Sequence, residues 1–159
     1  MTVRMRPMTG EDKPGIMEIL RHTPEFNPAE VIVAEEVIDS YLRDRSGSGY
    51  FVLVAEANSS VVGYICYGPA PMTEGTWDMY WAAVALEEQG RGIGRALFMQ
   101  AEKEIRKQGG RLAIIETSSK PEYEKTRCFH RNSGYQVVGC VEDFYSPGDD
   151  KLIFLKRLR

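Results

Sequence analysis

The chain has 159 residues, of which 43% are hydrophobic and 27% charged, and its formal net charge is −3. This length and composition predict one globular domain over residues 1–159, large enough to bury a core. The slight acidic excess argues against a nucleic-acid-binding protein, and no apolar run is long enough for a membrane span or a signal peptide. The three cysteines and two histidines lack metal-site spacing, so we expect no metal, reduced thiols and a cytoplasmic location.

The N-terminal third is predicted to form a short strand and two helices. The strand covers residues 3–5, and either Thr9 or Asp12 can cap the first helix. A proline in the first turn favours Asp12. Asn27, followed by proline and then an acid at the third helical position, predicts a second helix that runs to about residue 43.

The middle of the chain is predicted to be a hairpin followed by a buried strand. Segments 50–57 and 61–67 read as strands joined by an Asn-Ser-Ser turn. Residues 77–84 are almost all apolar or aromatic, which predicts a strand buried on both faces. A glycine-rich turn at 89–94 then opens a helix, and a glycine pair at 109–110 ends it.

The last third of the chain is predicted to contain a strand, a helix and a final hairpin. Residues 112–117 form a predicted strand that, with the strand and helix before it, implies a parallel pair with a right-handed crossover. A helix from about 121 to 132 and a hairpin of strands 135–145 and 151–155 complete the chain. This order of elements favours one α+β domain with a sheet of mixed direction.

The glycine-rich turn predicts an anion site. Glycines at 90, 92 and 94 permit a tight bend and a close approach of a ligand to the backbone. The first N–H groups of the following helix have no helical acceptor and carry a partial positive charge, which suits a diphosphate. The alternative is an ordinary loop with two solvated arginines, at positions 91 and 95. A dinucleotide fingerprint fits poorly because its third small residue is absent.

Residues 89–94, Gln-Gly-Arg-Gly-Ile-Gly, resemble the Q/R-x-x-G-x-G/A acetyl-CoA pyrophosphate loop of the GNAT N-acyltransferase superfamily. The Phe-His-x-x-x-Gly-Tyr pattern at 129–135 stands where that family has an F-Y-x-x-x-G-F segment. The resemblance is close from about Trp77 to the C-terminus and loose before it. It implies an α+β, three-layer fold in which helices flank a mixed central sheet with a splayed pair of parallel strands.

The resemblance also implies acetyl-CoA as co-substrate. Backbone groups of the strand at 82–84 would hold the pantetheine arm, and the loop at 89–95 would hold the diphosphate. Tyr123 stands where many members have an asparagine that contacts CoA, so its contact is less firmly implied. The residues assigned to acetyl-CoA in this way are Ala82, Ala83, Val84, Gln89, Gly90, Arg91, Gly92, Ile93, Gly94, Arg95 and Tyr123.

Asp78 is the strongest candidate for a catalytic base. It is the only charged residue between Trp77 and Leu86, and in a regular strand it would share a face with Tyr80 and Ala82. A carboxylate with a raised pKa can take the proton that an ammonium must lose before it attacks a thioester. The resemblance also places Asp78 where several members of the family carry a glutamate with this duty. The alternative is an Asp at the strand start that bonds a loop or pairs with a base.

His130 is the second catalytic candidate. Many family members have a tyrosine at this position, close to the departing thiolate, and a histidine could act there as the acid. The alternative is a partly exposed helix histidine without a role in the reaction. Tyr135 and Tyr145 are alternative candidates for this acid.

The end of the second parallel strand, the final hairpin and the N-terminal helices, which in this family usually shape the acceptor site, carry the candidates for that site. Acids there would suit a cationic amine, although a solvated turn or a helix cap explains Asp149, Asp150 and Glu30 better. The remaining candidates for this site are Phe26, Glu116, Thr117 and Asp143.

Together these observations predict an acetyl-CoA-dependent N-acetyltransferase that acts on a primary amine, expected to be a small molecule, by direct attack in a ternary complex. A protein N-terminal or lysine acetyltransferase is one alternative. A non-catalytic acyl-CoA-binding regulatory module is another. We expect no nucleic-acid or membrane partner, and a homodimer is a candidate assembly because dimers are frequent in the family.

Overall fold

The computed structural model describes residues 2–159. The strands are β1 (Val3–Pro7), β2 (Phe51–Ala57), β3 (Ser60–Pro69), β4 (Thr76–Val84), β5 (Leu112–Ser118), β6 (Gln136–Ser146) and β7 (Asp149–Arg157). The helices are α1 (Lys13–Arg21), α2 (Pro28–Arg43), α3 (Ile93–Lys107) and α4 (Glu124–Asn132). Single turns of 3-10 helix lie at Gly10–Asp12, Leu86–Glu88 and Pro121–Tyr123.

All seven strands form one mixed sheet in the order β1-β2-β3-β4-β5-β7-β6. The only parallel pair among the described strands is β4 with β5, and it is short. Pairing covers Thr76–Met79 and stops there, after which β4 stays with β3 and β5 stays with β7. The two strands therefore diverge, which confirms the predicted mixed sheet with a splayed parallel pair.

A β-bulge interrupts β4 at the point where the pair diverges. Cys66 of β3 pairs with Trp81, whereas its neighbour Tyr67 pairs with Met79, so Tyr80 has no residue opposite it. Such an extra residue bends the strand and changes which face the following side chains occupy. Tyr80 is 40% exposed, so the expectation of a strand buried on both faces is wrong at this residue.

The bulge reverses the alternation of side chains along β4. Trp77 and Met79 belong to the core under α3, but beyond the bulge Ala82 and Val84 pack against that core. Asp78 therefore does not share a face with Ala82, as a regular strand would require. A period-two pattern cannot reveal this change, because one inserted residue shifts every later position.

Two hydrophobic clusters hold the sheet between its helices. One lies under α3 and α4, and the other lies under α1 and α2. α2 begins as the sequence predicts: the Glu30 N–H donates to Asn27 Oδ1 at 2.8 Å, and the Asn27 N–H donates to Glu30 Oε1 at 3.2 Å. This reciprocal pair is a capping box.

The remaining differences from the predicted elements are small. The helix expected from residue 121 starts as a 3-10 turn and becomes α-helical only at Glu124. β7 begins at Asp149, so the final turn is shorter than the predicted 146–150. Within residues 2–159, none of the helices combines the length and the apolar character that crossing a membrane requires.

Candidate active site

The N-terminus of α3 carries the backbone geometry of an anion site. Gly90 and Gly92 have φ values of 79° and 81°, in the left-handed region that favours glycine. A Cβ atom at either position would have no heavy atom within 4 Å, so conformation and not space requires glycine here. The first α-helical bond is donated by Ala96 to the Gly92 carbonyl at 3.0 Å. The N–H groups of residues 93–95 thus face outward as the helix begins.

Gln89 joins this loop to the strand before it and the helix after it. Its Nε2 donates to the carbonyl of Val84 at 3.2 Å, and its Oε1 accepts from Lys125 Nζ at 3.3 Å. A Cβ atom added to Gly94 would lie 3.6 Å from Phe129 Cζ and 3.7 Å from a methyl of Val84. The end of β4, the start of α3 and α4 therefore meet at one place.

The two arginines of the loop differ in their surroundings. Arg91 Nη1 lies 3.1 Å from a carboxylate oxygen of Glu88, one turn earlier. Arg95 is exposed and lines a cavity of about 270 Å³ between α3 and β7, together with Arg106 and Lys156. Both arginines add positive charge beside the open helix end.

Ala82, Ala83 and Val84 follow the point where β4 leaves β5. Their ladder partners are Ile65, Tyr64 and Gly63 of β3, and in residues 2–159 no strand pairs with them on the other side. A strand edge of this kind can pair with an extended ligand as it would with another strand.

Asp78 lies just before the divergence, between Gly68 of β3 and Ile114 of β5. Its side chain is half-buried, and the Tyr80 hydroxyl donates to its Oδ2 at 3.5 Å. Burial raises the pKa of Asp78, and the negative charge of Glu116 raises it further. The Tyr80 hydrogen bond and the positive charge of Lys151 act in the opposite direction. A carboxyl of this kind holds a proton at higher pH than a solvated one.

Glu116 and Lys151 form an ion pair next to Asp78. Lys151 Nζ lies 2.8 Å from Glu116 Oε2 and 4.1 Å from the centre of the Phe144 ring. The lysine is mostly buried, with 15% of its side chain exposed. The region accordingly binds an ammonium group of the protein itself through a carboxylate and an aromatic face.

Aromatic and acidic groups from the α1–α2 connection and the start of α2 contact β4 and Tyr123. The Phe26 ring packs edge-on against Trp81, with centroids 5.5 Å apart. The Tyr123 hydroxyl donates to the Glu25 carbonyl at 3.1 Å and to Glu30 Oε2 at 3.3 Å. Tyr123 thus reaches toward α2, on the acceptor side, and its predicted contact with CoA stays a prediction.

Tyr145 connects this wall to the final hairpin. Burial raises its pKa, and the negative charges of Glu116, Asp149 and Glu30 raise it further. Residues from α2, β5, β6 and β7 are therefore close enough to act on one hydroxyl group. Their shared property is negative charge, which favours a cationic ligand.

Asp149 is buried, and the expectation of a solvated turn is wrong for it. The Ser118 hydroxyl donates to its Oδ1, and Lys120 Nζ lies 3.6 Å from its Oδ2. Asp150 accepts the backbone N–H of Asp143 at 2.9 Å, so it too holds the hairpin together. Glu30 does cap α2, but it also accepts from Tyr123.

Arg127 positions α4 against the end of β5, and the sequence analysis did not single it out. It is buried and donates to the carbonyls of Ser118 at 2.8 Å and Lys120 at 2.7 Å. Its other nitrogen bonds Glu124 at 2.7 Å. The only signal in the sequence is an arginine among the apolar positions of a helix, which is also compatible with a surface residue.

His130 lies in the core under α3 and α4. It is 5% exposed and contacts the rings of Phe98, Tyr135 and Phe154. Burial lowers its pKa to about 4, so the imidazole is neutral at pH 7, and its Nδ1 has no hydrogen-bond partner in the described part of the chain. The Tyr135 hydroxyl is engaged with Glu102 at 2.9 Å.

The structure thus brings Asp78 together with Glu116, one of the predicted acceptor residues, and brings residues 82–95 together at the divergence. Thr117, another acceptor candidate, is buried opposite Leu152 on the side of the core under α3, and His130 also faces that core. Among residues 2–159, no cluster of three or more His, Cys, Asp or Glu side chains has the arrangement of a metal site.

Comparison with known proteins agrees with this geometry. The sequence matches the acetyltransferase (GNAT) family over residues 14–142. A search of curated proteins found no match. A crystal structure from Desulfovibrio desulfuricans, of a protein assigned to the GNAT acetyltransferases, is 36% identical with a TM-score of 0.96; the match covers 99% of this chain and 100% of that one.

Two more distant structures share the fold. An aminoglycoside 6′-N-acetyltransferase complexed with coenzyme A is 17% identical with a TM-score of 0.77, covering 98% of this chain and 97% of that one. The ribosomal-protein-S18-alanine N-acetyltransferase from Escherichia coli is 16% identical with a TM-score of 0.78. That match covers 99% of this chain and 94% of the other one. At these identities the likeness concerns the fold alone.

Proposed function

Since the chain belongs to the acetyltransferase (GNAT) family, we propose that it transfers an acetyl group from acetyl-CoA to the primary amine of a small cationic molecule. The observation that carries this proposal is the divergence of β4 from β5 between an open helix N-terminus and an acidic, aromatic wall. One side of the divergence suits a thioester with a diphosphate. The other side suits an ammonium group.

On the donor side, the outward N–H groups at the start of α3 suit the diphosphate of acetyl-CoA. We assign this contact to Gln89, Gly90, Arg91, Gly92, Ile93, Gly94 and Arg95, and the pantetheine arm to the backbone of Ala82, Ala83 and Val84. The free edge of β4 supports the second assignment because the arm carries amide groups that can pair with a strand.

On the acceptor side, we assign Asp78 as the base that takes a proton from the bound ammonium, directly or through a water molecule. The raised pKa of Asp78 supports this role, since a base must hold the proton it removes. The neutral amine then attacks the thioester carbon, the tetrahedral intermediate expels the CoA thiolate, and the second proton of the attacking nitrogen passes to that thiolate through solvent. Bringing the two substrates together would supply much of the rate enhancement.

His130 is the weaker of the two catalytic candidates. Its burial and its pKa of about 4 do not favour a proton donor at neutral pH. A thiolate of low basicity needs little help to leave, so we propose a mechanism in which His130 transfers no proton. A cytoplasmic location and a homodimer also stay predictions.

The first test is calorimetric titration with acetyl-CoA, followed by thiol-release assays on pooled amines. The pools are polyamines, aminoglycosides, amino acids and short peptides with free N-termini. We expect micromolar binding and release with a small polycationic amine. Release with peptides alone would favour a protein acetyltransferase, and binding without any release would favour a regulatory module.

A charge variant then tests the acceptor wall. We expect Glu116→Gln to raise KM for the amine about tenfold while the affinity for acetyl-CoA stays constant, because the acceptor side loses a negative charge and the Lys151 ammonium loses its carboxylate partner. Glu36→Gln, an exposed position on α2, is the matched control. An unchanged KM in Glu116→Gln would remove this carboxylate from substrate recognition.

A further inference from the structure

A lysine of the protein itself lies among the acids of the acceptor side. Lys151 is opposite Ser118 in the ladder of β5 and β7, and Asp78 is opposite Ile114 in the short ladder of β4 and β5. Side chains alternate along a strand, so residues 114, 116 and 118 of β5 point to one face. Directly opposite residues share a face as well. Asp78, Glu116 and Lys151 therefore lie on the same face of the sheet.

Two partners hold the ammonium group of Lys151. Its Nζ lies 2.8 Å from Glu116 Oε2 and 4.1 Å from the centre of the Phe144 ring. The Lys151 side chain is 15% exposed, whereas that of Glu116 is 48% exposed. Charges that are partly removed from water are screened less than surface charges, so this pair acts on the groups around it.

The pair changes the charge at the proposed base. The charged and titratable groups that act on Asp78 are Tyr80 of its own strand, Glu116 of β5 and Lys151 of β7. Burial and Glu116 raise the pKa of Asp78, whereas the Tyr80 hydrogen bond and Lys151 lower it. When Asp78 is ionised, the two carboxylates and the ammonium leave one net negative charge at this place.

We propose that Lys151 is a specificity-determining residue, which restricts the divergence of β4 and β5 to one substrate ammonium, bound at Asp78. Its own ammonium occupies the carboxylate of Glu116, so a second positive charge of the substrate close to the first meets repulsion instead of a partner. An acceptor with several ammonium groups must therefore hold the others farther away. The inference rests on the proposed function, because it assumes that an amine binds beside Asp78.

The first experiment changes the charge at residue 151 and measures amine binding by calorimetry in the presence of CoA, which prevents transfer. The probes are propylamine and trimethylenediamine, which differ by one ammonium. Lys151→Gln should raise the affinity for the diamine about tenfold and that for the monoamine about threefold, because the freed Glu116 attracts each added charge. Lys151→Arg keeps the charge and should stay within about twofold of wild type. Lys107→Gln, which removes an exposed lysine paired with Glu104 on α3, is the matched control and should change neither affinity.

A double variant separates charge from a merely structural role. Glu116→Gln alone leaves the positive charge of Lys151 without its carboxylate and should weaken the binding of both amines. The double variant Glu116→Gln/Lys151→Gln has the net charge of the wild type, so its affinities should return to within about threefold of wild type. A double variant that binds as weakly as Glu116→Gln would overturn the proposal. So would a Lys151→Gln variant that binds both amines as the wild type does.

Titration of the Asp78 carboxyl, followed by NMR, tests the same coupling without any amine. Lys151→Gln should move this titration to higher pH, because the charge of Glu116 then acts without the opposing ammonium. Lys151→Arg should leave it in place. An unmoved titration in Lys151→Gln would overturn the proposal whatever the activity. A shifted titration in a protein that acetylates none of the pooled amines would support the role of Lys151 and contradict the proposed function instead.

Discussion

The proposed donor and acceptor sides of the site differ in what they are made of. The donor side is made of backbone, and it comes from one continuous stretch, residues 82–95. The acceptor side is made of side chains, and they come from the α1–α2 connection, β4, β5 and the final hairpin. The first depends on local conformation, and the second depends on how distant segments pack.

This difference predicts different responses to mutation. A backbone site is damaged by changes of φ or by groups that fill the space of the ligand, while most side chains around it can vary. A side-chain site is damaged one charge at a time, and each loss affects binding or proton transfer separately. Each of the following variants is directed at one side.

Gly92→Glu should have the largest effect. It places a carboxylate at the proposed diphosphate site and forces a side chain into a φ of 81°. We expect affinity for acetyl-CoA to fall at least about 100-fold, through charge repulsion and the loss of the close approach. Titration calorimetry measures this directly.

The chain offers a close control for that variant. Gly109, at the other end of α3, has a φ of 83° and equally open space around it. Gly109→Glu should therefore carry a similar cost in folding stability but leave acetyl-CoA binding intact. If both variants bind equally well, the diphosphate does not lie at the start of α3.

Asp78→Asn tests the acceptor side and should have the next largest effect, a fall in turnover. We expect turnover to fall about 10²-fold, with unchanged affinity for acetyl-CoA, because general-base catalysis contributes on this order. The pKa of Asp78 is raised, so the wild-type rate should fall as pH drops through that value and the base becomes protonated. The loss in the variant should be greatest above that pKa and below the pKa of the amine, where the ammonium still needs a base. A variant that keeps the acidic limb of the pH–rate profile would show that another group titrates there.

His130→Phe should change stability more than activity. Its pKa is about 4 when folded and near 6.5 when unfolded, so the unfolded chain binds the proton more readily. The contribution of the neutral His130 to the free energy of unfolding is then fully present above pH 6.5. It is lost as pH falls toward 4, by up to about 3 kcal/mol. In the variant, the free energy of unfolding should no longer depend on pH in this way. Urea unfolding between pH 4 and pH 7 measures that slope. A large fall in turnover with the slope intact would instead return His130 to the reaction.

The contrast between the two sides also explains what the sequence could predict. The capping box at Asn27 and Glu30 and the glycine loop use neighbouring residues, so their geometry follows from local rules. The order of strands and the splayed pair followed from these elements and the family resemblance. Each of these features depends on contacts within a few residues or on a chain order that many sequences share.

The features that the sequence did not predict depend on contacts between distant residues. The bulge at Tyr80 lies where β4 leaves β5 while remaining paired with β3, and the same residues would suit a regular strand. Asp149 looks like a turn residue until Ser118, 31 residues earlier, is placed beside it. His130 has the sequence position of a catalytic residue, and only the rings around it show that it is part of the core.

The smallest predicted effect separates two glycines of the same loop. Gly94 has no left-handed φ, and a Cβ atom there would make ordinary contacts of 3.6 Å and 3.7 Å with Phe129 and Val84. Gly94→Ala should raise the free energy of unfolding by about 0.5 kcal/mol, since alanine restricts the unfolded chain and favours the helix. Affinity for acetyl-CoA should stay within about threefold of wild type, because the N–H group that would face the diphosphate is unchanged. A loss of tenfold or more in calorimetry, with stability retained, would mean that the ligand approaches the backbone as closely at 94 as at 92, and that the donor site extends into the first turn of α3.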